Sequence, residues 1–192
     1  MRLKKANSFR NLVLSFNRTS KSWFIVSKQQ QESAEELKEV MRLLPYPVTV
    51  ITAVAGDRKR GITIGSFTSL SMDPPLISFN VTNDSQMHEL LADAKQFVVH
   101  IPGAGQQELC TRFALPDQSD EEQFDGLSFK QDNGGPPVLD GVIAEIHCTK
   151  FRLFRAGDHS IVIGRVERIN RNREELSILY CNGTYQNLET DG

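Results

Sequence analysis

The spacing of apolar residues divides this chain of 192 residues into strand-like and helix-like stretches. Alternating or mostly apolar runs predict seven strands, at 48–54, 62–67, 76–81, 97–101, 142–154, 159–169 and 176–180. Apolar residues at helical spacing predict helices at 33–44, about 85–94 and around 109–113. Because strands predominate and no regular strand–helix–strand alternation is present, the pattern predicts a mainly antiparallel barrel or sandwich with short helices at its ends.

Local signals set the expected limits of several elements. Ser33 and Glu36 have the spacing of a capping box, which predicts that a helix begins at Ser33, and Pro45 ends that helix. The polar stretch 56–61 predicts a hairpin connection. Residues 114–137 mix acidic residues with proline and glycine, and so predict a long excursion of a kind that is usually functional or mobile.

The N-terminal segment differs in charge from the rest of the chain. Residues 1–31 contain seven Lys or Arg and no Asp or Glu, which leaves 15 basic and 24 acidic residues in the remainder, a formal charge of −9. A basic, serine-rich segment without acids is typical of a mitochondrial transit peptide. We therefore predict a tail at 1–31, a folded domain at 32–192 and a mitochondrial matrix location; an untargeted cationic tail on a cytoplasmic protein is the alternative.

Composition also argues against several classes of protein. The acidic body is a poor match for nucleic acid, because phosphate binding needs clustered cations. No apolar stretch approaches the roughly 20 residues that span a bilayer, so no membrane partner is expected. The three cysteines form no CxxC pair and the four histidines lack ligand spacing, so neither a metal site nor a disulfide is predicted.

The stretch GITIGSFTSLSMDPPL, residues 61–76, carries the main chemical signal. It begins as an alternating strand and then turns to hydroxyl-bearing and small residues, which let a polar, phosphate-bearing ligand approach the backbone closely. Acid–base and nucleophile candidates are scarce elsewhere: no serine lies in a GxSxG elbow and no carboxylate pair interrupts neighbouring strands. This combination favours an enzyme in which a cofactor supplies the reactive atoms.

Several segments in a fixed order, among them RGITIGSFTSLSMDPPLISFNV and AGDHSIVIGRVERI, resemble the flavin reductase family over about residues 38–188. The resemblance implies a six-stranded antiparallel split β-barrel with short flanking helices, assembled as a homodimer. It also implies hydride transfer from NADH or NADPH to N5 of FMN or FAD. Many members of the family hand the reduced flavin to a separate monooxygenase, so a monooxygenase partner is implied as well.

The same resemblance implies roles for individual residues. Residues that line the flavin ring or lie toward its ribityl and phosphate end would be Thr63, Ser66, Phe67, Thr68, Ser69 and Val81. The polar stretch Asn83-Asp84-Ser85-Gln86 would lie at the phosphate, where Ser85 could also cap the next helix. Arg112 would neutralise the phosphate and Phe113 would pack beside the ring. His159, in the GDH stretch, would lie on the nicotinamide side as the catalytic residue.

Some positions depart from the family pattern or leave its details open. His100 stands where asparagine is frequent, and Arg165 stands where an acidic residue is frequent. Arg152 and Arg155 are candidates for the 2′-phosphate of NADPH. The alternative functions are a flavoprotein that retains FMN and acts on another substrate, as an oxygenase or a corrinoid reductase, and a non-catalytic flavin or haem module. In the haem module His147 and His159 would be the iron ligands.

Overall fold

The computed structural model describes residues 12–17 and 22–188, and the chain divides into two units, 1–44 and 45–192. In the first unit β1 (Leu12–Asn17) pairs antiparallel with β2 (Ser22–Ser27), and α1 (Lys28–Arg42) follows. No helix in the described part of the chain is long and apolar enough to cross a membrane.

Helix α1 begins earlier than its sequence signals suggest. The Ser27 hydroxyl accepts a hydrogen bond from the N–H of Gln30 at 3.2 Å, and the Gln30 side chain accepts one from the N–H of Ser27 at 3.0 Å. The predicted start at Ser33 is therefore wrong, because an equivalent capping box six residues upstream begins the helix and nothing between the two boxes breaks it. Residues 1–11 and 18–21 of the predicted tail lie outside the described residues, and its targeting role stays a prediction.

The described part of the second unit consists of twelve strands, of which β11 and β12 are the longest, and three helices. In chain order they are β3 (Tyr46–Pro47), β4 (Thr49–Ala55), β5 (Arg58–Ile64), β6 (Thr68–Met72), β7 (Pro75–Thr82), α2 (Gln86–Asp93), β8 (Gln96–Ile101), α3 (Gln107–Ala114), α4 (Asp120–Phe124), β9 (Phe129–Lys130), β10 (Val138–Leu139), β11 (Ala144–Ala156), β12 (His159–Arg171), β13 (Leu179–Cys181) and β14 (Thr184–Gln186). All strand pairs are antiparallel, which confirms the mainly β, antiparallel prediction.

The main sheet has seven strands in the order β5-β4-β8-β11-β12-β7-β6. A flat sheet of this size would hold its two edge strands about 29 Å apart. The three residues that join β5 to β6, residues 65–67, can bridge about 14 Å at most. The sheet must therefore curl until β5 and β6 approach each other, which makes it an open barrel.

This topology corrects the strand that was predicted for the hydroxyl-rich stretch. The predicted strand at 62–67 is in fact the end of β5, and the residues from Thr68 onward form β6 at the opposite edge of the sheet. The alternation of apolar and polar residues does not show where the chain leaves one edge of the sheet and joins the other edge. Strand β6 ends at Met72, and Pro75 begins β7 directly opposite it.

Two apolar clusters hold the unit together. The first fills the concave side of the sheet and includes Phe79 and Phe97, whose rings meet edge to face at 5.3 Å, together with Leu90 and Leu91 of α2. The second packs α3 and α4 against the other side of β4, around Phe113. Helix α2 is thus fixed by the first cluster, and α3 and α4 by the second, which places all three helices beside the β5 edge of the barrel.

Candidate active site

A cavity of about 460 Å³ opens between β5, the start of α2 and the end of α3. Its volume lies within the about 300–1,000 Å³ that is usual for small-molecule sites. The cavity is lined by Arg60, Gly61, Ile62, Thr63, Thr82, Asp84, Ser85, Gln86, Met87, Phe113, Ala114, Leu115, Pro116, Asp117 and Gln123. Of the predicted site residues, the structure therefore brings together Thr63, Ser85, Gln86 and Phe113.

The wall formed by β5 and α3 depends on a glycine. A Cβ atom at Gly61 would lie 2.3 Å from Cδ1 of Phe113, so only glycine lets this ring pack so closely against the strand. Two residues along, the Thr63 hydroxyl donates a hydrogen bond to the carbonyl of Cys110 at 2.6 Å. The hydroxyl that was expected to serve the flavin thus also ties β5 to α3.

The start of α2 provides the cavity with an anion-binding end. The Ser85 hydroxyl accepts a hydrogen bond from the N–H of His88 at 3.1 Å and donates one to the carbonyl of Thr82 at 2.8 Å. The predicted cap is confirmed. Both hydrogen bonds of the Ser85 hydroxyl are made to backbone groups of the protein itself. The groups that can bind an anion are the first-turn N–H groups of Gln86 and Met87, which have no intrahelical acceptor and lie at the positive end of the helix dipole.

The remaining hydroxyl-bearing candidates lie elsewhere. The Ser66 hydroxyl accepts a hydrogen bond from the N–H of Asn80 at 2.9 Å, and Phe67 packs against the first apolar cluster. Thr68 and Ser69 are exposed on β6. The prediction that these residues share one strand with Thr63 is wrong, because β5 ends at Ile64 and β6 begins at Thr68 at the opposite edge of the sheet. Their predicted contacts with a flavin stay predictions.

Two further candidates also lie outside the cavity lining. Val81 is only 1% exposed within the first apolar cluster, so its side chain faces the barrel interior. Arg112 lines a second cavity, of about 540 Å³, and donates a hydrogen bond to the carbonyl of Asp125 at 2.6 Å. The structure therefore places Arg112 and its neighbour Phe113 at different cavities, and the predicted contact of Arg112 with a flavin phosphate stays a prediction.

His159 lies beside the cavity rather than within it. It is the first residue of β12 and pairs with Thr82, which lines the cavity. Side chains of directly opposed residues lie on the same face of a sheet, so His159 and Thr82 are neighbours. Nδ1 of His159 is 2.8 Å from the carboxylate of Asp158. Because a carboxylate only accepts, Nδ1–H is the donor.

Sequence reasoning missed the polar residues at the back of the cavity. Arg60 is 5% exposed, forms an ion pair with Asp120 and donates to the carbonyl of Gln118 at 3.0 Å. The only available signal was the acidic character of the excursion that follows α3. These contacts anchor α4, which lies within the 114–137 excursion, to β5.

Two of the other histidines have clear structural settings. Nδ1–H of His100 donates to the carbonyl of Val50, and its Nε2 accepts from the N–H of Leu139, both at 3.0 Å. Complete burial lowers the pKa of His100 to about 4, so the ring is neutral. His147 contacts Glu145 and pairs in register with Arg168.

His147 and His159 cannot ligate one haem iron. His147 lies opposite Arg168, nine residues along β12 from His159, which corresponds to about 30 Å of strand. Among the residues that the structure describes, no group of three or more His, Cys, Asp or Glu side chains could hold a metal ion.

The fold and the cavity define a curled antiparallel β-sheet protein with a hydroxyl-bearing small-molecule cavity at the N-terminus of a helix. The flavin reductase like domain matches residues 41–189. The chain is 35% identical over 149 residues to a flavin reductase of Pseudomonas putida, which covers 77% of this chain and 86% of that protein. It is 34% identical over 158 residues to an NADH-dependent FAD reductase of Streptomyces globisporus, which covers 81% and 86% respectively.

Solved structures support the same family. The NADH:FAD oxidoreductase SgcE6 of Streptomyces globisporus C-1027, in complex with NAD and FAD fragments, matches with a TM-score of 0.76 and 32% identity over 83% of this chain and 95% of that chain. The chain belongs to the flavin reductase family, as its motifs indicated.

Proposed function

We propose that this protein reduces a flavin, FMN or FAD, with NADH or NADPH. The observation that carries the proposal is the 460 Å³ cavity, which joins the anion-binding start of α2 to the Thr63 and Phe113 wall inside the family-matching segment. When bound, the flavin supplies the hydride-accepting N5. The protein contributes binding, orientation and exclusion of water.

The lining residues fit a flavin phosphate at one end and an aromatic ring at the other. The N–H groups of Gln86 and Met87 bind the phosphate, aided by the helix dipole. Phe113, 2% exposed and packed against Gly61, fixes in place the wall of β5 and α3 that faces the flavin ring. His159 directs Nε2 toward a nicotinamide that approaches from the Thr82 side.

Anaerobic rapid mixing tests this proposal. Purified protein with added FMN is mixed with NADH, and the loss of the oxidised-flavin absorbance is followed. We expect NADH oxidation that depends on both flavin and protein. A protein that binds no flavin and oxidises no NADH contradicts the proposal.

Retention of the flavin is the criterion for the alternative function. A reductase that supplies free reduced flavin must release it, whereas a flavoprotein that acts on another substrate keeps it bound. The reductase subunit HsaB of a flavin-dependent monooxygenase from Rhodococcus jostii is 32% identical over 144 residues, covering 75% of this chain and 72% of that protein. This relative supports release to a monooxygenase partner. A flavin dissociation constant far below 1 μM would favour retention.

A homodimer is part of the proposal. Phe154 and Ile161 face each other across β11 and β12 and are 50% and 37% exposed. Phe151, at 44%, lies on the same strand as Phe154. Apolar surface of this kind marks protein interfaces, and a second copy would cover it. Light scattering measures the oligomeric state. The wild type should be dimeric and Ile161→Glu monomeric. A monomeric wild type contradicts the proposed homodimer.

Delivery to mitochondria is the last part of the proposal, and it rests on the basic, acid-free composition of residues 1–31. A reporter fused behind these residues should enter isolated mitochondria in a potential-dependent way. A reporter that stays outside would favour a cytoplasmic protein.

A further inference from the structure

Asn83 binds the hairpin turn that carries His159 at three points. Its backbone N–H donates to the carbonyl of Asp158 at 2.9 Å, and its side-chain Nδ2 donates to the carbonyl of Gly157 at 3.0 Å. Its Oδ1 accepts a hydrogen bond from the Ser160 hydroxyl at 2.6 Å. The three partners bracket His159 on both sides, while Asn83 itself is 5% exposed.

We propose that Asn83 is a positioning residue that holds the β11–β12 turn, and with it His159, beside the cavity; the inference rests on the proposed function of His159. Residues 156–158 are exposed, and a hairpin end of this kind is mobile unless its backbone groups are bound. Asparagine suits the role because its amide is both donor and acceptor, whereas aspartate offers no donor and alanine offers neither.

The network continues into α2. The Ser160 hydroxyl lies 3.0 Å from Nε2 of His88. Since its only proton is donated to Asn83, Ser160 accepts a hydrogen bond from Nε2–H of His88. Burial and the charge of Arg155 lower the pKa of His88, which favours this neutral ring. The turn is therefore connected through Asn83 and Ser160 to the helix whose first turn lines the cavity.

A double-mutant cycle tests the inference. Asn83→Ala is made in the wild type and in His159→Ala, and kcat and KM for NADH are measured at saturating FMN, with the FMN dissociation constant measured separately. In the wild type we expect about a tenfold loss of kcat/KM, because a displaced group contributes little to the transition state. FMN affinity should change less than about twofold. In the His159→Ala background the same change should cost less than about twofold, because the group being positioned is gone.

A matched control separates positioning from general destabilisation. The Asn172 side chain makes a comparable hydrogen bond, to the carbonyl of Val142 at 3.2 Å, at the far end of β12. Asn172→Ala should leave kcat/KM unchanged. An equal loss from Asn83→Ala in both backgrounds, or no loss in the wild type, overturns the inference. If Asn83→Ala does not fold, Ser160→Ala takes its place in the cycle, with the same two outcomes.

Amide hydrogen exchange provides a readout that does not depend on activity. Asn83→Ala should speed exchange in the segment 157–160 at least tenfold, while exchange in β4 and β8 stays as in the wild type. Unchanged exchange in the turn overturns the inference that Asn83 holds it. A wild type that shows no flavin-dependent NADH oxidation refutes the proposed function instead, and the exchange experiment still decides whether Asn83 holds the turn.

Discussion

Gln123 binds the backbone of Gly61 through both ends of its side-chain amide. Its Oε1 accepts from the N–H of Gly61 at 3.0 Å, and its Nε2 donates to the carbonyl of Gly61 at 3.2 Å. Gly61 lies on an edge strand, whose outer backbone groups have no strand to pair with. One side chain from α4 thus takes the place of a neighbouring strand at the back of the cavity.

Gln123→Ala should therefore destabilise the protein. Gln123 is 2% exposed, and its removal leaves two backbone groups of Gly61 without partners, at about 1–3 kcal/mol for each group that stays dry. Urea denaturation measures the change in the free energy of unfolding. Glu121→Ala, at an exposed position on the same helix, is the control and should change stability by less than about 0.5 kcal/mol. An unchanged urea midpoint in Gln123→Ala would show that this pairing contributes nothing.

Gly61→Ala should destabilise the protein because the new Cβ would overlap the ring of Phe113. Overpacking of this kind costs about 1–3 kcal/mol. In a Phe113→Ala background, which removes the overlapping ring atoms, the same substitution should cost clearly less. Thermal denaturation of the four proteins checks this. Equal costs in both backgrounds would contradict the steric explanation.

His100 makes stability dependent on pH. Its pKa is about 4 in the folded protein and 6.5 as the ordinary value, so the unfolded state binds more protons between these limits. Stability therefore falls as the pH is lowered from about 6.5 to about 4. From pH 7 to pH 5 the wild type should lose about 2 kcal/mol more than His100→Asn, measured by urea denaturation at each pH. Parallel pH profiles would contradict the assignment of a buried neutral ring.

Ser85→Ala should weaken FMN binding more than riboflavin binding. Loss of the cap destabilises the first turn of α2 by about 0.5–2 kcal/mol, and this turn supplies the N–H groups for the phosphate. We expect about a three- to tenfold rise in the FMN dissociation constant and little change for riboflavin, which has no phosphate. Ser27→Ala, which removes the cap of α1, is the matched control and should leave both constants unchanged. Equal weakening of both ligands would place the phosphate elsewhere.

Much of the fold could be predicted from local patterns. Strands β4, β7, β8, β11 and β12 and helices α2 and α3 lie within a few residues of their predicted limits. Each of these elements packs apolar residues against one of the two apolar clusters, so the pattern of apolar residues predicts it directly. The predictions failed where that signal is missing. Helix α1 has no buried residue to mark its start, and α4 has only five residues within the excursion.

The candidate site was predicted less completely, because it consists of contacts between distant segments. Thr63, Ser85, Gln86 and Phe113 were identified and meet at one cavity. Thr68 and Ser69 were assigned to the same wall but belong to another strand. Arg60 and Gln123 were missed because their partners, Asp120 and Gly61, are about 60 residues away along the chain.

The amino-acid sequence by itself determined the antiparallel β class, the cap of α2 at Ser85 and membership of the flavin reductase family. Each of these depends on residue types at short, regular spacings. Only the tertiary structure decided that the hydroxyl-rich stretch is divided between two sheet edges, that Phe113 requires glycine at position 61, and that Asn83 holds the turn of His159. The physical reason is that strand pairing and side-chain contact between distant segments depend on how the sheet curls, and short-range spacing carries no record of that curvature.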